Sequence, residues 1–122
     1  MAKKILLVDD AAFMRKVIKD TLTKAGYTEI YEAVDGADAV QKYSEIHPDL
    51  VLMDITMPNM DGLEALKAIR GADGSANVVM CTAMGQESMV MDAVRSGAKD
   101  FIVKPFKEHW ILKTVNNILG GA

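Results

Sequence analysis

A single cysteine among 122 residues rules out an intrachain disulfide, and Cys81, following Val79 and Met80, reads as a buried thiol in a reduced compartment. Basic runs are also missing. The pairs Lys3-Lys4 and Arg15-Lys16 read as solvated flanks, and a formal charge of −3 with a pI near 5.3 argues against nonspecific attraction to nucleic acid or to a membrane surface. Long apolar stretches are missing near the N-terminus, where Met-Ala-Lys-Lys leads into only four apolar residues before two aspartates. That is too short for a signal peptide or a membrane span, so a cytoplasmic protein is expected. There is no internal repeat and no linker, and Gly120-Gly121-Ala122 reads as a frayed end. With half of its residues hydrophobic, the chain is expected to fold as one domain over 1–122 with an adequate core.

What is present is an alternation of short apolar runs with helical periods. Ile5 to Val8, Leu50 to Met53, Val78 to Cys81 and Lys99 to Val103 read as strands, with a shorter one around Glu29 to Ala33. Between them, Met14, Val17, Ile18, Thr21, Leu22 and Ala25 recur at helical spacing before Gly26, which predicts a first helix from about Ala11 to Ala25. Ala37, Val40 and Tyr43 mark a second apolar face, ended by His47-Pro48. Leu63, Leu66 and Ile69 mark a third, with Gly71 to Gly74 as its break. Gly85 to Gly97 brackets a fourth helix, and the last runs from about Lys107 to Leu119. Five strands alternating with five helices predict an α/β fold, a doubly wound parallel sheet covered on both faces with right-handed crossovers.

The strand ends carry the chemistry. Ile5-Leu6-Leu7-Val8 stops at Asp9-Asp10, Leu50-Val51-Leu52-Met53 stops at Asp54, and Phe101-Ile102-Val103 stops at Lys104-Pro105. In an open parallel sheet such carboxyl ends line the ligand crevice, so three carboxylates and one ammonium would meet in one pocket. Like charges that close need neutralising, and a hard divalent cation with oxygen ligands, Mg²⁺, is the simplest answer. Asp54 alone at the end of the middle strand is the candidate nucleophile toward phosphorus. Asp9 and Asp10 are candidate metal ligands, although Asp10 read by itself would serve equally as the N-cap of the first helix. Thr82 ends the fourth strand as a hydroxyl donor or a plain turn residue. Lys104 offers a compact positive charge to the same oxygens, or is one more solvated lysine.

Taken together, Asp9-Asp10, the segment Asp54-Ile55-Thr56-Met57-Pro58-Asn59-Met60-Asp61-Gly62, Thr82-Ala83 and Lys104-Pro105 resemble the receiver domain of two-component response regulators. The resemblance covers the whole chain and is strongest to the single-domain chemotaxis type, through Ala11-Ala12-Phe13-Met14-Arg15 and Ala83-Met84-Gly85-Gln86. It implies a flavodoxin-like sheet of strand order 2-1-3-4-5. It also implies a phosphoryl group accepted on Asp54, with Thr82 and Lys104 completing the reactive set, and Mg²⁺ held by Asp9, Asp10, Asp54 and the backbone carbonyl of Thr56. The Lys104-Pro105 bond is implied to be cis, Ala83 to be small so that the phosphoryl group stays reachable, and Phe101 to occupy an aromatic switch position.

From this follow expectations about output. Phosphorylation adds about −1.5 to −2 charge, which should draw Thr82 and Lys104 toward Asp54, let Phe101 move into vacated space and change the surface of the fourth helix, fifth strand and fifth helix. Trp110 lies off the apolar face formed by Ile111, Leu112, Val115, Ile118 and Leu119, either as part of a contact surface or folded back over Phe106. Phe13 is similarly off-face and reads as core-edge packing. Met84 and Met89 bracket the start of the fourth helix as an adaptable surface.

The implied partners are a chemotaxis histidine kinase, the flagellar motor switch protein and a chemotaxis phosphatase, with the chain itself a monomer. The alternative is a stand-alone receiver in another phosphorelay. An enzyme of metabolism fits less well. An aspartyl-phosphate phosphatase wants a second acid two residues after the nucleophile, where Thr56 stands, and a flavodoxin wants a phosphate loop where Asp9-Asp10-Ala11-Ala12 would repel phosphate.

Overall fold

Ile5 to Val8, Leu50 to Met53 and Val78 to Cys81 are buried along their whole length because each lies on an inner strand with helices over both faces. A computed structural model of the chain describes residues 2–83 and 86–121. The elements run β1 (Lys4–Val8), α1 (Ala12–Lys24), β2 (Glu29–Ala33), α2 (Gly36–Ile46), β3 (Leu50–Asp54), α3 (Gly62–Ala72), β4 (Val78–Thr82), α4 (Glu87–Arg95), β5 (Asp100–Val103) and α5 (Glu108–Leu119). All pairings are parallel, in the order β2-β1-β3-β4-β5. The expected flavodoxin-like architecture is the one found.

Alternation along the strands divides the core in two. Leu6, Val8, Val51, Met53, Val78 and Met80 face α2, α3 and α4, where Ala39, Tyr43, Leu66, Ile69 and Ala93 cover them. Ile5, Leu7, Leu50, Leu52, Val79 and Cys81 face α1 and α5, under Ile18, Leu22, Ile111 and Val115. Cys81 is buried as expected, and burial pushes its thiol up to about 12.

Three helix readings are corrected. In α2 the inward residues are Gly36, Ala39 and Tyr43, while Ala37 is exposed. The register follows Gly36, whose N–H donates to the Met60 carbonyl at 2.9 Å and whose missing side chain would collide with that same oxygen. In α1, Val17 is exposed and the buried stripe narrows to Ile18, Thr21 and Leu22. Gly71 does not break α3. It sits on the solvent side of a helix anchored by a capping box between Asp61 and Glu64, and a glycine there costs only about 1 kcal/mol.

The α3 terminus is tied to α2 instead. Tyr43 donates its hydroxyl to Asp73 Oδ2 at 2.7 Å, and Ser75 donates Oγ and N–H to Asp73 Oδ1 at 2.6 and 2.9 Å. The Ser75 hydroxyl and the Tyr43 phenol hold the Asp73 carboxyl down at about 2, while burial and that carboxylate raise the Tyr43 phenol. A carboxyl held below its ordinary 3.8 contributes stability that is complete above that value and lost as pH falls through about 2. Asp73→Asn is therefore expected to lower stability at neutral pH, with the deficit closing across that acid window. Urea unfolding at several pH values checks this, and a deficit independent of pH would refute the assignment.

Candidate functional site: an acidic pocket at the strand ends

Backbone pairing continues past the apolar part of each central strand, which fixes where the polar side chains emerge. Asp9 N–H donates to the Ala33 carbonyl at 3.2 Å, Ile55 N–H to the Cys81 carbonyl at 3.2 Å, and Lys104 N–H to the Thr82 carbonyl at 2.7 Å. Asp9, Asp54 and Lys104 thereby leave β1, β3 and β5 at the same edge of the sheet, with the end of β4 between the last two. Lys104 Nζ stands 3.2 Å from Asp54 Oδ2 and 3.5 Å from Asp9 Oδ2, and the Lys104-Pro105 bond is cis.

The pocket is electrostatically short of positive charge. Burial pushes the Asp54 carboxyl up and the Asp9 charge adds to that push, against the downward pull of Lys104. Burial likewise works against the Lys104 ammonium, but Asp54 and Asp9 together outweigh it and raise its pKa. One ammonium serves two buried carboxylates, while Asp10 next to them is exposed. Asp9, Asp10 and Asp54 each offer a carboxylate oxygen within 4.8 Å of the others. Hard oxygen donors, an excess of negative charge and an approach along the exposed Asp10 together fit a hard divalent cation.

The N-cap reading of Asp10 fails. Ala11 occupies the N-cap of α1 with no side-chain cap, and it is Asp9 Oδ1 that accepts from the Ala11 N–H at 2.9 Å. Asp10 therefore has no capping duty to compete with a ligand.

With that geometry fixed, its likeness to known proteins is specific. The family described as response regulator receiver domain matches residues 5–116. The chain belongs to that family. Chemotaxis protein CheY of Bacillus subtilis is 59% identical to it over 98% of this chain and 99% of the relative. CheY of Thermotoga maritima is 52% identical over 97% and 98%. Among solved structures, a CheX-CheY-BeF3-Mg+2 complex from Borrelia burgdorferi contains a chain 39% identical, with a TM-score of 0.91 over 96% of this chain and 89% of that one. These relatives support a chemotaxis response regulator.

Around the acidic pocket, the receiver departs from sequence expectation in several places. Arg15 is no solvated flank, since its Nη1 donates to the Asp9 carbonyl at 2.6 Å and its Nε to Glu32 at 2.9 Å. Nothing local announces this, because a long side chain finds its partner through tertiary proximity. Phe13 is not packed at the core edge and is 74% exposed, one turn from the acid pair. Thr56 and Ala83 are exposed beside the pocket, and Thr82 is buried with its hydroxyl turned to Gln86 Oε1 at 2.9 Å and the Ala83 carbonyl at 3.1 Å.

On the neighbouring face, Phe101 is 44% and Trp110 50% exposed, and both line a hollow of about 480 Å³ with Val103, Lys104 and Lys107. Trp110 does not shelter over Phe106. Its neighbours are the His109 ring, 4.8 Å between centroids, and the Lys113 ammonium, 5.2 Å from its own. Met89 is half-buried against the core cluster under α4, which makes it packing more than surface. Met84 lies outside the described residues.

Proposed function

We propose that this chain is a chemotaxis receiver that accepts a phosphoryl group on Asp54 from a histidine kinase and, once phosphorylated, binds the flagellar motor switch. The observation that carries this reading is Asp54 at the end of β3, with Lys104 Nζ at 3.2 Å and oxygens of Asp9 and Asp10 within 4.8 Å. The Asp54 carboxylate attacks phosphorus, the O–P bond forms, the P–N bond of the phosphohistidine breaks, and its electron pair stays on the imidazole. Mg²⁺ held by Asp9, Asp10, Asp54 and the backbone carbonyl of Thr56 would supply a Lewis acid that offsets charge on the phosphoryl oxygens. The Lys104 ammonium pairs with the same oxygens, and the Thr82 hydroxyl turns to donate to one of them. Later attack of water on phosphorus returns the Asp54 carboxylate and inorganic phosphate, so the chain is a signalling phosphoacceptor and not a metabolic enzyme.

Output follows from the change of charge. A phosphoryl group of about −1.5 to −2 charge draws Thr82 and Lys104 inward, and the surface around Phe101 and Trp110 changes with the β4 end. That surface meets the motor switch in the cytoplasm, and a phosphatase of the chemotaxis system ends the signal. The CheX-CheY-BeF3-Mg+2 complex from Borrelia supports binding of a signalling partner by similarity.

The test is titration of the purified motor switch protein with this chain, with and without beryllofluoride and Mg²⁺. Activation is expected to tighten binding by about tenfold or more, within the usual range of allosteric coupling, and Thr82→Ala is expected to erase that gain. Activation-dependent binding to a relay phosphotransferase instead would keep the receiver chemistry and discard the motor. A gain that survives Thr82→Ala would refute the switch.

A further inference from the structure

Gln86 is the one residue whose side chain bridges the ends of β4 and β3 among the hydrogen bonds of the described residues at this pocket. It stands at the N-cap of α4, but its side chain caps no backbone N–H of that helix. Its Oε1 accepts from the Ala83 N–H at 2.7 Å and from the Thr82 hydroxyl at 2.9 Å, and its Nε2 donates to Thr56 Oγ1 at 2.8 Å. The orientation of the amide is dictated by chemistry, since a backbone N–H can only donate and the atom facing it must be the oxygen. A carboxamide oxygen only accepts, so the Thr82 proton is given either to Gln86 or to the Ala83 carbonyl at 3.1 Å. Both acceptors belong to the β4–α4 connection and neither to the acidic pocket.

We propose that Gln86 is a positioning residue that latches the resting state of this receiver, holding the Thr82 hydroxyl on the α4 side until a phosphoryl group outcompetes it. The inference rests on Asp54 being the phosphoacceptor. Accepting a phosphoryl group then requires Thr82 to exchange a neutral amide oxygen for an anionic phosphoryl oxygen. Charge-assisted hydrogen bonds are roughly twice as strong as neutral ones, so the exchange runs forward, but the latch sets its threshold. The Thr56 contact makes the latch a bridge, so releasing Thr82 also frees the loop that follows Asp54. Sequence patterning gives no hint of this, because an isolated glutamine at a helix start has no periodicity to read.

The test compares wild type, Gln86→Ala and Gln86→Glu. Beryllofluoride is titrated at fixed Mg²⁺ and half-saturation is read from backbone amide shifts. Losing one neutral hydrogen bond from the resting state should let Gln86→Ala saturate at about fivefold lower beryllofluoride, while Gln86→Glu, whose carboxylate accepts from both β4 donors in charge-assisted bonds and adds negative charge beside the pocket, should need more beryllofluoride than wild type. In metal-free buffer the Ala83 amide should exchange faster in Gln86→Ala and not in Gln86→Glu. In a Thr82→Ala background, Gln86→Ala should lose its effect on half-saturation. An unchanged or weakened response of Gln86→Ala, with wild type saturating normally, overturns the latch and leaves the phosphoacceptor reading standing. A wild type that binds no beryllofluoride overturns both.

Discussion

Asp54→Asn is expected to abolish uptake of a phosphoryl group from acetyl phosphate while leaving the fold intact. Asparagine matches the shape of the buried side chain, so the packing of the β3 end is kept, but its amide oxygen carries no charge with which to attack phosphorus. Stability without metal should rise somewhat, because burial and the neighbouring Asp9 charge make the ionised Asp54 carboxyl costly, and the attraction of Lys104 at 3.2 Å offsets that only in part. Lys104 keeps Asp9 at 3.5 Å as its remaining partner. The response to Mg²⁺ should differ more. Wild type should gain thermal stability as Mg²⁺ is added, following the logarithm of its concentration above the dissociation constant, and Asp54→Asn should gain much less. Chelation should prevent labelling of wild type for the same reason. Intact mass after acetyl phosphate treatment decides the matter, and a full phosphoryl mass on Asp54→Asn would move the acceptor elsewhere.

The acidic pocket was legible because parallel strands in the middle of a sheet show no alternation. Leu50-Val51-Leu52-Met53 can be apolar throughout only if both faces are covered, so the first charged residue after it marks the place where the chain leaves the core. The same logic located Asp9, whereas Lys104 ends the edge strand β5, where Phe101 and Val103 are exposed, and only its place after a short apolar run pointed to it. Arg15 and Gln86 were not legible, since each acts through a long polar side chain on a partner fixed by the fold and not by spacing. Phe13 was misread because a single aromatic at the start of α1 has too few neighbours to define a face, and at 74% exposure it packs on nothing that periodicity could reveal. The α2 face was displaced from Ala37 to Ala39 by a requirement of glycine. Gly36 must approach the Met60 carbonyl, and that approach turns the helix.

A second glycine has a larger consequence, because it stands directly against the end of β3. Gly62 opens α3, and its N–H donates to the Ile55 carbonyl at 2.7 Å. A methyl group there would collide with the Asp54 carbonyl oxygen and lie 2.9 Å from both Ile55 Cα and Met80 Cε. The methionine tip can swing away, but the two backbone atoms cannot, because the β3 end is laddered to β4 through the pairing of Asp54 with Cys81 and the bond from Ile55 N–H. Gly62→Ala must therefore push α3 off the sheet or shift Asp54 relative to Asp9 and Lys104. The expected loss is about 3 kcal/mol, the upper end for overpacking, with a fall in melting temperature of roughly 10 °C and slower labelling by acetyl phosphate. Gly71 in the same helix supplies the contrast. It is exposed and no atom lies within 4 Å of its would-be methyl, so Gly71→Ala should stabilise by about 0.5–1 kcal/mol through backbone entropy alone. If Gly62→Ala proved as stable as wild type, the contact between the start of α3 and the Asp54 carbonyl would have to be soft, and the placement of Asp54 would have to rest on the β4 ladder alone.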